Sequence, residues 1–335
     1  EALQRSRDKI SSYLGVDARE ILFTSCATES NNLAIKGSVF AQEGKPHLIT
    51  TKIEHHAVLH SFEWLEKRGY EVTYLQVDEN GLVEPRDLES AIRDDTFLAS
   101  VMYANNEIGT IEPVAELGKI CRENGVIFHT DAVQAFGKFP LEIENVDMLS
   151  ASGHKIYGPK GVGLLYVKSG IKLEPLLSGG GHERGLRSGT ENTSGIVGLA
   201  AATELMTGEA EEESGRQEDL RDRIIEECLK IPDTRLNGHP ELRLPNNVNL
   251  SFAHAEGESI VMGLDNEGFA TSTGSACSSP DLEPSHVLLA IGTPMSLAHG
   301  SLRISLGRYT KEEDIDRFLE TLKEVIKNLR KASPI

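Results

Sequence analysis

Short apolar runs rich in β-branched residues alternate with helical repeats across the first two-thirds of the chain. Strands are predicted at Ile21–Thr24, His47–Thr51, Glu71–Gln76, Phe97–Tyr103, Val126–Thr130, Met148–Ala151 and Gly163–Val167. Helical patterns lie between most of them, over Thr28–Glu43, Ala57–Arg68, Arg86–Arg93 (entered through Pro85) and Val114–Asn124. Apolar strands separated by helices of that length predict an α/β fold, a mostly parallel seven-stranded sheet flanked by helices. Ligands of such sheets sit beyond the carboxyl ends of the strands, so residues directly following a strand carry the most information.

The Gly-rich stretch Ser178–Thr190 breaks this alternation and is too long for a tight turn, which suggests a functional loop. A long helical pattern from about Ser194 to Lys230, with a break, then leads to a region punctuated by Pro232, Pro240 and Pro245. That region reads as α+β: strand Asn247–Phe252, helix Ser259–Asn266, strand Leu302–Leu306 and a final helix Lys311–Lys331. The 335 residues therefore divide into a large domain, 1–210, and a smaller α+β C-terminal domain, 211–335.

Composition narrows the function classes. Apolar residues at 39% and charged residues at 26% suit a soluble protein, and no apolar run approaches the roughly 20 residues needed to span a bilayer. The charged, helix-prone opening Glu1–Ile10 excludes a secretory signal in that stretch. A formal net charge of −18 repels phosphates and anionic lipids, which argues against nucleic-acid and membrane partners. Part of the excess lies in Glu209–Glu213, read as a solvated helix face. Cys26, Cys121, Cys228 and Cys277 are far apart, with no Cys-x-x-Cys pair, so neither a disulfide framework nor a structural zinc site is supported. A reducing, cytoplasmic compartment follows.

Six segments carry candidate chemistry. In Ser150-Ala-Ser-Gly-His-Lys155, a lysine directly after a strand would lie at the ligand edge. Burial there would lower its pKa and free the amine to attack a carbonyl, with Ser152 and His154 available to a phosphate. A surface loop with a solvated lysine competes equally on spacing alone. In His129-Thr-Asp-Ala-Val-Gln134, Asp131 follows a strand expected to be central, where a carboxylate needs a cationic partner or a strong donor. A protonated pyridine nitrogen would meet that need, with Gln134 donating to the ring hydroxyl; an Asp capping the next turn is the alternative.

In Phe23-Thr-Ser-Cys-Ala-Thr-Glu-Ser-Asn-Asn32, Ser25 or Thr28 would stand at a helix N-terminus, which attracts phosphate, although a plain cap explains the pattern as well. Glu54-His55-His56 supplies an imidazole able to stack on a heteroaromatic ring or move protons. Asn105-Asn-Glu-Ile-Gly109 offers an amide to a phenolic oxygen, or is a turn. Finally, Thr271-Ser-Thr-Gly-Ser-Ala-Cys-Ser-Ser-Pro280 sets Cys277 in a small polar loop, unlike Cys121 and Cys228 on amphipathic helices, so a reactive thiol and an incidental surface cysteine both fit.

In this order, from Ala27-Thr-Glu-Ser-Asn-Asn32 to Ser301-Leu-Arg-Ile-Ser-Leu-Gly-Arg308, the segments resemble the cysteine desulfurases, the NifS/IscS-like group of class V aminotransferases within the fold type I pyridoxal-phosphate enzymes. The resemblance implies conversion of L-cysteine to L-alanine, with pyridoxal 5'-phosphate as cofactor and the sulfur left as a persulfide on Cys277. It implies that Lys155 holds the cofactor, Asp131 pairs with its ring nitrogen, Gln134 and Asn106 contact ring or substrate, and His55 stacks on the ring. Ala27, Thr28, Ser152 and His154 would line the phosphate site, and Thr190 would reach the phosphate of a neighbouring subunit, making a homodimer. Arg303 would clamp the substrate carboxylate.

The Thr-Gly-Ser-Ala-Cys form resembles the group whose longer, mobile catalytic loop serves iron–sulfur assembly through a scaffold protein. No resident metal is implied, although Cys277 could ligate iron during handover. A selenocysteine lyase, another pyridoxal-phosphate enzyme of this fold and a non-catalytic assembly subunit are the alternatives. Cys277 argues against an aminotransferase, and intact Lys155, Asp131 and Cys277 argue against a non-catalytic role. Two departures stand out. The chain opens at what resembles the helix after the family's first strand and loop, and a molecule lacking that segment is expected to have an incomplete substrate site. Cys26 stands where the family commonly has glycine, which would alter the backbone's approach to phosphate.

Overall fold

The computed structural model describes residues 1–274 and 284–332. Two compact units share the chain: the first is Glu1–Gln76, Val83–Ala104 and Glu112–Ala210, the second Val77–Leu82, Asn105–Ile111 and Glu211–Ile335. Two short excursions from the N-terminal half thus belong to the second unit.

The first unit runs α1 (Ala2–Leu14), β1 (Ile21–Thr24), α2 (Ala27–Asn32), α3 (Ser38–Phe40), β2 (His47–Thr51), α4 (His56–Glu66), β3 (Val72–Leu75), α5 (Pro85–Ala91), β4 (Thr96–Ser100), α6 (Val114–Glu123), β5 (Ile127–Asp131), β6 (Met148–Ser152), β7 (Gly163–Val167) and α7 (Thr193–Gly208). A π turn at Leu33–Gly37 joins α2 to α3, so one wound segment replaces the helix predicted over Thr28–Glu43. The seven strands form one sheet in the order β1-β7-β6-β5-β4-β2-β3. The pairs β2–β3, β2–β4, β4–β5 and β5–β6 are parallel, and β7 is antiparallel to both its neighbours. Six strands therefore point the same way and β7 alone is reversed.

Strands β1, β2, β6 and β7 are buried throughout, and β5 from Phe128 on, as expected of near-continuous apolar runs covered on both faces. Leu22, Leu48, Leu98 and Leu165 from the sheet pack with Leu33, Ile35, Val58 and Phe62 from the helices. The predicted extension of β4 to Tyr103 survives only as two bonds, Val101 N to His129 O and Tyr103 N to Asp131 O.

The second unit continues with α8 (Ala210–Leu229), β8 (Thr234–Leu236), β9 (Asn247–Phe252), α9 (Gly257–Asn266), α10 (His286–Ala290), α11 (Met295–Ala298), β10 (Ser301–Ser305) and α12 (Glu312–Ala332). Its antiparallel sheet has the order β10-β9-β8. Helix α12 presents Ile315, Phe318, Leu319, Leu322 and Ile326 at helical spacing to Val248, Leu250 and Phe252 of β9. Strand β8 escapes sequence reading because three half-buried residues carry no period.

Candidate active site

The shared strand direction brings the ends of β1, β2, β5 and β6 to one sheet edge. There Thr24 of β1 pairs with Gly163, which pairs in turn with Ser152 of β6. A side chain at Gly163 is excluded, because its Cβ would lie 2.7 Å from the Cys26 carbonyl carbon and 2.9 Å from Ala151 O. The chain entering α2 therefore lies directly against the start of β7, which puts Thr28 and Ser152 on the same stretch of edge.

Asp131 closes β5 and is buried. One carboxylate oxygen accepts from Val133 N at 3.0 Å, the other from Asn31 Nδ2 of α2 at 2.6 Å. Burial pushes its pKa up; the two donors, and then the charges of His55 and Lys155, pull it back. Asn31 Oδ1 is buried without a hydrogen-bond partner among the described residues. A buried carboxylate facing a lysine and a histidine, with an unused acceptor beside it, suits a ligand that brings a charged N–H. A pyridinium nitrogen is such a group, so these residues fit pyridoxal phosphate. Asn31 was quoted in a sequence motif but given no role; seeing it needs the packing of α2 over the end of β5.

His55 caps α4, its Nδ1 accepting from Ala57 N at 3.1 Å. The ring proton of the neutral imidazole is therefore on Nε2. Glu54 beneath it is fully buried and accepts from Thr51 Oγ1 at 3.0 Å and Met102 N at 2.8 Å. Burial pushes this carboxyl well above its ordinary value, and its two hydrogen bonds fix the turn that carries His55.

Lys155 does follow β6, in the short turn Gly153–Lys155. Its side chain is exposed, however, so the burial expected from the sequence is corrected: a tight turn at the strand end lifts it clear of the core. Ser152 Oγ and His154 Nδ1 are 2.9 Å apart, and burial, Lys155 and Lys160 together lower the His154 pKa. Gln134 is half-buried, and its Oε1 accepts from Lys138 Nζ at 3.3 Å, which leaves the amide N–H groups to donate elsewhere. Burial first, and then the charge of Lys155, bring Lys138 down to about 7.

Cys26 is the N-cap of α2, with φ −174° and ψ 169°. That is extended backbone open to any residue, so this position does not require glycine. Ala27 is buried, while Ser25 and Thr28 are exposed at the helix start. Ser25 N donates to Glu29 Oε2 at 2.7 Å, and Glu29 pairs with Arg187 at 2.7 Å. The Gly-rich connection is thus tied to the candidate phosphate loop. Exposed Thr190 lines a small cleft with Ser25 and Gly161. Deeper, Glu183 binds Arg7 at 2.7 Å and accepts from Phe23 N at 3.0 Å.

In the second unit, Arg303 lies on β10 opposite Asn249, and its guanidinium donates to the Asn106 carbonyl at 3.2 Å. Both side chains are half-buried. Cys277 lies outside the described residues. Cys26, Cys121 and Cys228 are free thiols, and burial raises the last two to about 12. Among the described residues no cluster of three or more His, Cys, Asp or Glu could hold a metal, and no helix is long and apolar enough to cross a membrane.

Residues 1–318 match the family model "Aminotransferase class-V". The cysteine desulfurase IscS of Methanosarcina thermophila is 56% identical over 337 residues, covering 100% of this chain and 83% of that protein. Among solved structures, a NifS-like protein superposes with a TM-score of 0.91 at 39% identity, over 98% of this chain and 88% of the other. SspA in complex with cysteine gives a TM-score of 0.81 at 40% identity, over 92% of this chain and 88% of the other.

Proposed function

The chain belongs to the class V aminotransferases, among their cysteine desulfurases, and from that premise we propose that it moves sulfur from L-cysteine to Cys277 using the residues gathered at the sheet edge. The observation that carries the reading is Asp131, buried at the end of β5, held by Asn31 and faced by His55 and Lys155. A similar structure is described as a complex with cysteine, which supports the substrate.

Pyridoxal phosphate, when bound, supplies a carbonyl for an amine and an electron sink for the α-carbon. The residues supply the rest. Asp131 would hold the ring nitrogen protonated, Gln134 would donate to the ring oxygen, and Ala27, Thr28, Ser152 and His154 would hold the phosphate at the start of α2. Lys155 would anchor the cofactor until the substrate amine takes its place. His55, with Nδ1 committed to Ala57 N, would stack on the ring and present a proton at Nε2. Arg303 would clamp the substrate carboxylate and Asn106 would orient it.

The Cys277 thiolate then attacks the substrate sulfur, forming an S–S bond while the Cβ–Sγ bond breaks. The electron pair goes to Cβ, which takes up a proton, so that thiol plus cysteine becomes persulfide plus alanine. We infer a homodimer, supported by exposed Thr190 on the Gly-rich connection, and a cytoplasmic location. An iron–sulfur scaffold protein is the inferred acceptor, supported by the Thr273-Gly274-Ser275-Ala276-Cys277 run.

The test is to record the absorption of the purified protein, add L-cysteine, and measure alanine and sulfide together. A visible cofactor band with both products is the expected result. A band with neither product would overturn the desulfurase assignment for this chain.

A further inference from the structure

The second unit buries a carboxyl group to which the reaction above gives no task. Glu107 is 5% exposed. Its backbone is fixed on both sides: its N–H donates to Asn105 Oδ1 at 2.8 Å, and its carbonyl accepts from Asn247 Nδ2 at 3.3 Å and Asn249 Nδ2 at 3.1 Å. Its side chain meets two residues far away in sequence. Ser285 Oγ donates to Glu107 Oε2 at 2.5 Å, and the same Oγ accepts from Val287 N at 3.1 Å and Leu288 N at 3.4 Å, capping α10. Gly274 comes so close that a Cβ there would stand 2.8 Å from Glu107 Oε2.

We propose that Glu107 is a positioning residue for sulfur transfer, its carboxyl fixing Gly274 and Ser285, the residues that flank the stretch carrying Cys277. The inference rests on Cys277 as sulfur acceptor. Neighbouring contacts extend the same frame. Ser272 N and O pair with Arg303 O and N at 3.2 and 2.6 Å, and the Arg303 guanidinium holds Asn106 O, one residue before Glu107. The proposed substrate clamp and both flanks of the Cys277 stretch thus converge on 105–107. Fixing the chain at a described position on either side of a reactive group restricts where that group can be carried, which raises the fraction of time it spends in reach of its target.

Burial pushes the Glu107 carboxyl up to about 7, with Ser285 and then Arg303 opposing. Arg303 is the charged group that faces it among the described residues; Asn105, Asn247, Asn249, Gly274 and Ser285 are neutral. Its ionisation therefore changes close to neutral pH.

The test uses the holoenzyme. Glu107→Ala should keep the cofactor band and change KM for cysteine little, while lowering kcat for alanine formation about ten-fold, the scale of one lost hydrogen bond to a charged group. The rate at which iodoacetamide alkylates Cys277, read by peptide mass spectrometry, should change in parallel. Glu107→Gln keeps an acceptor for Ser285, so it should restore most of kcat but lose the inflection near pH 7 expected of the parent. Gly274→Ala presses a methyl on Oε2 without removing the carboxyl and should resemble Glu107→Ala, which keeps the test decisive if that variant fails to fold. Parent-like alkylation and kcat in both Glu107→Ala and Gly274→Ala would overturn the proposal. Failure of the underlying reading looks different: Cys277→Ser would keep making sulfide, whatever the Glu107 variants do.

Discussion

The Asn31 side-chain amide donates to the buried Asp131 carboxylate at 2.6 Å, from a helix that begins just after the candidate phosphate loop. In the proposed site one short helix would thereby serve both ends of the cofactor, the phosphate at its start and the ring nitrogen through Asn31. Asn31→Ala should weaken cofactor binding about ten-fold, the worth of one bond to a charged group. Titrating the apoprotein with pyridoxal phosphate measures this directly. Asn31→Asp should weaken it further, since a second carboxyl pushes the Asp131 pKa up. An unchanged Kd in both would remove Asn31 from the site.

Lys155→Ala should abolish the visible cofactor band, because the group proposed to anchor the cofactor covalently is gone. Cys277→Ser should retain the band and lose sulfide release. A retained band in the first variant sinks the assignment of Lys155; parent-rate sulfide in the second makes another group the acceptor.

Lys138 gives a pH dependence with a definite sign. Its folded pKa is brought down to about 7 from an ordinary 10.5, so the unfolded chain binds the proton more tightly. Its contribution to stability is present above the unfolded value and is lost as pH falls through about 7. Relative to the parent, Lys138→Met should therefore gain in melting temperature as pH is lowered from about 10 to about 6. A constant difference across that window would contradict the shift.

Arg7 and Glu183 form a buried ion pair at 2.7 Å that ties α1 to the Gly-rich connection. Removing one partner leaves a buried charge uncompensated, which costs about 3–5 kcal/mol. Arg7→Met should lower the unfolding free energy from urea titration by that scale, and Arg7→Met with Glu183→Gln should cost less than the two changes summed. Additive losses would show that the pair acts as two independent contacts.

Much of the sheet edge was readable from the chain. Strands end where apolar runs meet Asp131, Ser152 and Thr51, because burial on both faces imposes apolar residues until the ladder stops. The need of Asp131 for a donor was legible from its position after an apolar run, but the donor was not, since Asn31 lies 100 residues away and only packing joins them. The reversal of β7 carries no signal, because side-chain alternation is the same in either direction. Lys155 was expected to be buried because it follows a buried strand; a three-residue turn is enough to break that inference. Glu107 sits in a motif read for its asparagines, and its tie to Ser285 spans 178 residues.

The chain crosses between its two units more than once, and this has a consequence for synthesis. Residues 77–82 and 105–111 leave the ribosome long before the 211–335 region they belong with. Until then Ile108 O lacks the Arg243 guanidinium that later binds it at 3.0 Å, and Glu107 O lacks the amides of Asn247 and Asn249. A C-terminal fragment made alone would in turn carry buried Arg243 without one of its acceptors. The order of translation thus leaves the second unit unfinished until the last third of the chain has emerged, and no single cut yields it whole.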